Sequence, residues 1–213
     1  GKAGVDQILK DLPDRFKSNP GLVYDRLRFR KNKKLFETAE DLIISTSKGA
    51  SILGRPLEWV EAREFFSRKA LSRGDPFKAY QIASKHFVKV ETPKMASRIA
   101  HLEWFSGFIS LNFLDEPQNA LFHFEQFSNF STNPVNKSKA YYWLGRTYET
   151  LGNKKEASQN YALAANYQNF FYGQLGMERG KIPFDRDSIN GKLRYDWTES
   201  TFLEKSSVKA AIL

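Results

Sequence analysis

Along residues 140–175, AYYWLGRTYETLGNKKEASQNYALAANYQNFFYGQL, apolar positions return at intervals of three and four, the period of one helical face. Ala140, Leu144, Tyr148 and Leu151 mark a first helix, and Ala157, Tyr161 and Ala164 the inner face of a second. Between them Gly152 accepts the left-handed conformation that ends helices. Asn153, with Glu156 three residues on, has the form of a capping box. The small residues Gly145 and Ala157 are expected where the two helices touch, and the tyrosines where the hairpin meets its neighbour.

The same grammar extends upstream. Pro56, Pro93 and Pro134 each open a long apolar-periodic segment, as proline does at a first helical position. Ala79, Ala120 and Ala157 each follow a cap candidate by four residues (Asp75, Glu116, Asn153) and stand 41 and then 37 residues apart. Three helix pairs are predicted: residues 56–73 with 76–87, 93–114 with 117–127, and 134–151 with 154–167. A further first helix is expected around Phe170-Phe171-Tyr172 and Gly173 to Gly176. Ahead of the array, 5–17 reads as a helix interrupted near Pro13, 18–21 as a turn, and 22–36 and 37–45 as a helix pair followed by a loop to residue 54. Residues 182–188 read as a loop and 194–203 have no clear pattern. Residues 206–213 read as a helix just begun, from which the polypeptide is expected to be a piece cut from something longer.

Leu144-Gly145, Tyr148, Gly152, Ala157, Tyr161 and Ala164 also fall at the offsets of a tetratricopeptide unit, a repeat of about 34 residues. Tyr141 replaces a common tryptophan, and Asn169 a common proline. The predicted fold class is therefore all-α, a TPR-like, irregular solenoid of helical hairpins forming an α-α superhelix. It is expected to be a single domain over 1–213, clearest over 56–176.

Composition narrows the chemistry. The 213 residues carry 33 Lys and Arg against 24 Asp and Glu, a formal charge of +9 that favours polyanions. Aromatic residues reach 15%, with 18 phenylalanines, which helical repeats use as wedges between hairpins. Cysteine is absent, excluding disulfides and thiolate metal sites. No apolar run approaches the ~20 residues of a membrane-spanning helix. No signal peptide is visible, and Gly1-Lys2-Ala3-Gly4 looks like a trimmed start.

No catalytic, cofactor-binding or metal constellation is found. His86, His101 and His123 lie on different predicted helices and lack an i, i+4 partner. His101-Leu102-Glu103 matches half of a zinc-deaminase signature whose cysteine half cannot exist here. Gly180-Lys181 and Gly191-Lys192 lack the surroundings of a phosphate loop, and there is no Gly-x-Ser-x-Gly elbow. Acidic pairs such as Glu40-Asp41 and Asp115-Glu116 are expected at the surface. The basic run Arg26 to Lys34 reads as a solvated helix face and turn, because Arg28 and Arg30 lie on opposite sides of Phe29.

Residues 102–127, LEWFSGFISLNFLDEPQNALFHFEQF, are followed by NKSKAYYWLGRTYETLG and FFYGQLG and preceded by RGDPFKAYQIASKH. Together these segments resemble, in order, the superhelical region of soluble lytic murein transglycosylases. The resemblance covers residues 56–176. It implies a periplasmic α-superhelix beside a separate lysozyme-like domain, in which one glutamate cleaves the MurNAc–GlcNAc bond of peptidoglycan, leaving a 1,6-anhydro end. Glu199-Ser200-Thr201-Phe202 matches the first four positions of that domain's catalytic motif, but no Gly-Ala-x-Gly-x-Met-Gln run follows, so Glu199 is not assigned a catalytic role.

The expected function is thus the scaffold portion of such an enzyme in cell-wall turnover, itself without lytic activity. Its expected partners are glycan strands or the catalytic domain. A stand-alone TPR-like adaptor that holds a protein partner is the alternative. Nucleic-acid binding through Arg26 to Lys34 is a weaker third class.

Overall fold

The computed structural model describes residues 11–49, 56–90, 92–186 and 201–212. These residues are all-α, with no strand among them. In order they form α1 (Asp14–Lys17), α2 (Pro20–Asn32), α3 (Phe36–Thr46), α4 (Pro56–Ser72), α5 (Pro76–Ser84), α6 (Pro93–Phe113) and α7 (Pro117–Phe130). Then follow α8 (Pro134–Thr150), α9 (Lys154–Ala165), α10 (Phe171–Gly180), a 3-10 turn (Thr201–Glu204) and α11 (Ser206–Ile212). The loop expected at 46–54 lies outside the described residues beyond Gly49, as do the part of the 5–17 helix before Asp11 and most of 194–203.

Four hairpins follow one another: α2/α3, α4/α5, α6/α7 and α8/α9, each packed within itself and against the next. First helices also meet across the array, α4 with α6 and α8 with α10. All four hairpins turn in the same way. Two residues past the end of each first helix stands a residue in the left-handed region: Lys34 (φ 58°), Gly74 (φ 81°), Asp115 (φ 54°) and Gly152 (φ 79°). The second helix starts two residues later in every case. The amides of Leu35, Asp75 and Asn153 then bond back to the carbonyls of Arg30, Ala70 and Tyr148, satisfying groups the helix end leaves open. The register predicted from three alanines therefore extends to a fourth pair, and two of the turns do without glycine.

Several boundaries depart from expectation. Pro20 and Gly21 belong to α2, because the Asn19 side chain accepts from the amides of Gly21 and Leu22. Helix α5 stops at Ser84 rather than at Phe87, which adopts a positive φ of 52°. Asp75 caps α5 by accepting from Lys78 N at 2.9 Å, but Glu116 and Asn153 make no side-chain cap.

Close approach within hairpins depends on small residues. A Cβ on Gly107 would fall 2.8 Å from the Phe124 ring, and one on Gly145 2.6 Å from the Tyr161 ring. The Tyr161 ring thus fills the gap within its own hairpin, rather than serving only as a wedge to the next. A Cβ on Gly173 would lie 1.9 Å from the Tyr167 carbonyl oxygen, so α10 sits almost on the end of α9. One core runs from Val23 to Ile109 and a second joins Ala120 and Phe124 to Ala164; Trp104 and Phe108 pack against both.

Candidate functional site

Two groups of polar side chains stand out, one inside the array and one on its first helices.

The inner group centres on Glu103 of α6, 6% exposed. Its carboxylate holds His86 Nε2 at 2.9 Å on one oxygen and His123 Nδ1 at 2.6 Å on the other. The far nitrogen of His123 lies 3.0 Å from the Tyr80 hydroxyl. Burial alone would raise the Glu103 pKa, but the hydrogen bonds from His123 and His86 outweigh it and hold the carboxyl below its ordinary 4.5. Burial pushes the Tyr80 phenol up. The residues come from α5, the connection after it, α6 and α7, so the network ties two hairpins together. Each histidine bonds directly to the carboxylate, and no group of three ligating side chains poised for a metal exists among the described residues. His101 is more than half exposed, beside Glu64 at 3.6 Å, and so does not join Glu103 in the deaminase-like pairing.

The outer group is a row of cations seated on rings. Lys31 Nζ of α2 stands 4.4 Å from the centroid of Phe65 on α4. The Arg68 guanidinium of α4 stands 5.1 Å from Phe105 on α6. Lys139 Nζ of α8 stands 3.2 Å from Trp104 on α6. Three contacts therefore stitch successive first helices, each worth about 0.5–2 kcal/mol depending on how dry it is. Lys139 also has the rings of Phe127 and Tyr172 within 6 Å, at 5.8 and 5.7 Å. Burial, and then the charge of Arg68, push its ammonium down to about 8. Below Lys139, Trp104 stacks on Phe108 (5.3 Å) and meets Trp143 edge-on (6.2 Å), where the two cores join.

The basic run Arg26 to Lys34 is dispersed, as the sequence implies. Arg28 pairs with Asp25 at 3.7 Å, Arg30 donates to the Thr38 carbonyl at 2.7 Å, Lys31 covers Phe65, and Lys34 forms the turn. Asp115 and Glu116 are exposed as expected. Glu40 is not: it is fully buried, with Arg73 Nη2 at 2.5 Å, because α3 turns this residue toward the start of the α4–α5 connection. Asp41, one residue on, faces outward to Lys78 at 3.1 Å. Glu199, Gly191 and Lys192 lie outside the described residues. Gly180 ends α10 and Lys181 is its left-handed cap, with no phosphate-loop geometry.

The aromatic pattern was legible as packing but its pairing with cations was missed: Lys139 and Trp104 are 35 residues apart, and no local spacing reports them. No protein-family model matches the chain, and no curated protein matches it either. No described helix is long and apolar enough to cross a membrane.

Proposed function

We propose that this chain is the helical scaffold portion of a periplasmic soluble lytic murein transglycosylase, acting in peptidoglycan turnover by positioning the glycan strand or a lysozyme-like catalytic domain. In this reading the hairpins curl into an α-superhelix, and this chain does no bond cleavage itself. The observation that carries it is where the family-like segments fall. LEWFSGF, AYYWLGR and FYGQLG place Gly107, Gly145 and Gly173 where an added Cβ would collide with a residue packed against the helix. The residues behind the resemblance are thus those that set the hairpin stacking. The row of cations on the first helices adds a basic surface suited to a carboxylate-bearing polymer.

Co-sedimentation with purified murein sacculi tests the reading. The chain is expected in the pellet at low salt and progressively in the supernatant as salt screens the attraction, with no soluble muropeptides released. A chain that stays in the supernatant at low salt and also fails to associate with a lysozyme-like domain of the family overturns it. Release of 1,6-anhydromuropeptides overturns its non-catalytic part.

A further inference from the structure

Among the described residues, two neighbouring cations of the first-helix row, Arg68 and Lys139, rest on rings and have no carboxylate within ion-pair distance. The nearby acids of α4 are already engaged: Glu61 and Glu64 bind Arg98 at 3.0 and 3.7 Å, and Glu64 also faces His101. The rings beneath the two cations are neighbours, with the Trp104 and Phe105 centroids 6.4 Å apart, and Lys139 is half-buried, so water cannot fully screen its charge. Rings compensate a cation in part, but they offer an ammonium no oxygen acceptor. Two like charges thus lie on an apolar floor at the seam where both cores meet.

We propose that Arg68 and Lys139, over the floor made by Trp104, Phe105 and Tyr172, form a binding site for a carboxylate carried on a compact, partly apolar body. The proposal rests on the murein reading for the source of that carboxylate. Peptidoglycan offers two such sources, the lactyl acid of a muramic sugar from which the stem peptide has been removed and the terminal carboxylate of a stem peptide. Arg68 is exposed and reaches from α4 to meet the ligand, while Lys139 is held in place by the rings. The arrangement divides recognition between an exposed fork and a half-buried point charge.

Calorimetric titration of the full chain tests this with N-acetylmuramic acid, acetyl-D-alanyl-D-alanine, N-acetylglucosamine and inorganic phosphate. At least one of the two carboxylates is expected to bind, and whichever binds more tightly names the source. N-acetylglucosamine, which lacks the acid, is expected to bind at least about tenfold more weakly, as are Arg68→Gln and Lys139→Met toward the carboxylate, each having lost one charge-assisted contact. Arg68→Gln lies at an exposed position and keeps the test valid should Lys139→Met disturb the seam. Carboxylates that bind no better than N-acetylglucosamine, variants that bind like the native chain, or phosphate that binds as tightly as either carboxylate would each overturn the proposal. The two readings separate cleanly. If Arg68→Gln/Lys139→Met pellets with sacculi like the native chain, the site falls and the scaffold reading stands. If the small carboxylates bind but the chain associates neither with sacculi nor with a lysozyme-like domain of the family, the site stands and the murein reading falls.

Discussion

Gly145→Ala measures how tightly the hairpins nest. The new Cβ would stand 2.6 and 2.7 Å from Cε1 and Cδ1 of Tyr161, well inside contact distance. That ring has little room to yield. It is 3% exposed, and its hydroxyl donates to Glu149 Oε2 at 2.8 Å, where Arg179 of α10 also binds at 3.0 Å. Overpacking of this kind costs about 1–3 kcal/mol, while replacing a mid-helix glycine by alanine returns about 1 kcal/mol. The net loss expected is about 0–2 kcal/mol, which for a chain of this length lowers Tm by up to roughly 8 °C. The decisive version is a double-mutant cycle read by urea unfolding at 222 nm. With Tyr161→Ala in the background the clash is gone, so Gly145→Ala should become stabilising by about 1 kcal/mol, giving a coupling of about 1–3 kcal/mol. If Gly145→Ala stabilises the native chain, or costs the same in both backgrounds, the close approach is not what holds the hairpin.

Three further outcomes follow from the same geometry. Asp115→Gly is expected to stabilise by about 0.5–1 kcal/mol, since it relieves a left-handed residue of its Cβ, and Gly152→Ala to destabilise by about 1 kcal/mol at the equivalent turn; opposite signs in urea midpoints check the shared turn. Glu103→Gln should cost about 2–3 kcal/mol near neutral pH by weakening two buried charge-assisted hydrogen bonds. Because the Glu103 pKa is depressed in the fold, its contribution is present above 4.5 and lost as pH falls through the lower folded value, so native and variant stabilities should converge in acid. Lys139 has a linkage of the same sign in a higher window: its folded pKa of about 8 lies below 10.5, so the unfolded chain binds the proton more readily between the two. The native chain should therefore gain stability relative to Lys139→Met as pH rises from about 8 to 10.5, and parallel pH profiles would refute the buried-amine geometry.

What the sequence made legible was whatever depends on neighbours three or four residues away. Helical periodicity, the prolines that open helices and the small residues at Gly145 and Ala157 all belong to that class. The helix pair 22–36 and 37–45 was legible, but its kinship with the other turns was not, because its turn uses Lys34, and Asp115 hid a second left-handed turn for the same reason: neither is the glycine that would announce it. The buried acids escaped for a different reason. Glu40 is inside only because Arg73 arrives from 33 residues away, and Glu103 only because His86 and His123 converge on it from 17 and 20 residues away. Nothing in a local pattern separates such a carboxylate from a solvated one. The cation–ring row is hidden in the same way, since each contact joins different helices.

These hidden contacts explain how a modest excess of positive charge becomes a directed one. The fold takes two of its acids inside, where Glu40 holds Arg73 and Glu103 holds two histidines. It leaves Lys31, Arg68 and Lys139 lying across the rings of the first helices without a carboxylate among the described residues. Removing a surface acid elsewhere would change the net charge but not this arrangement. Moving a carboxylate into the row would neutralise the arrangement while barely altering the total. A ligand attracted by total charge would respond equally to both changes, whereas one seated on the row would respond only to the second. The placement of charge by burial, rather than the excess of bases by itself, is therefore what the proposed binding face depends on.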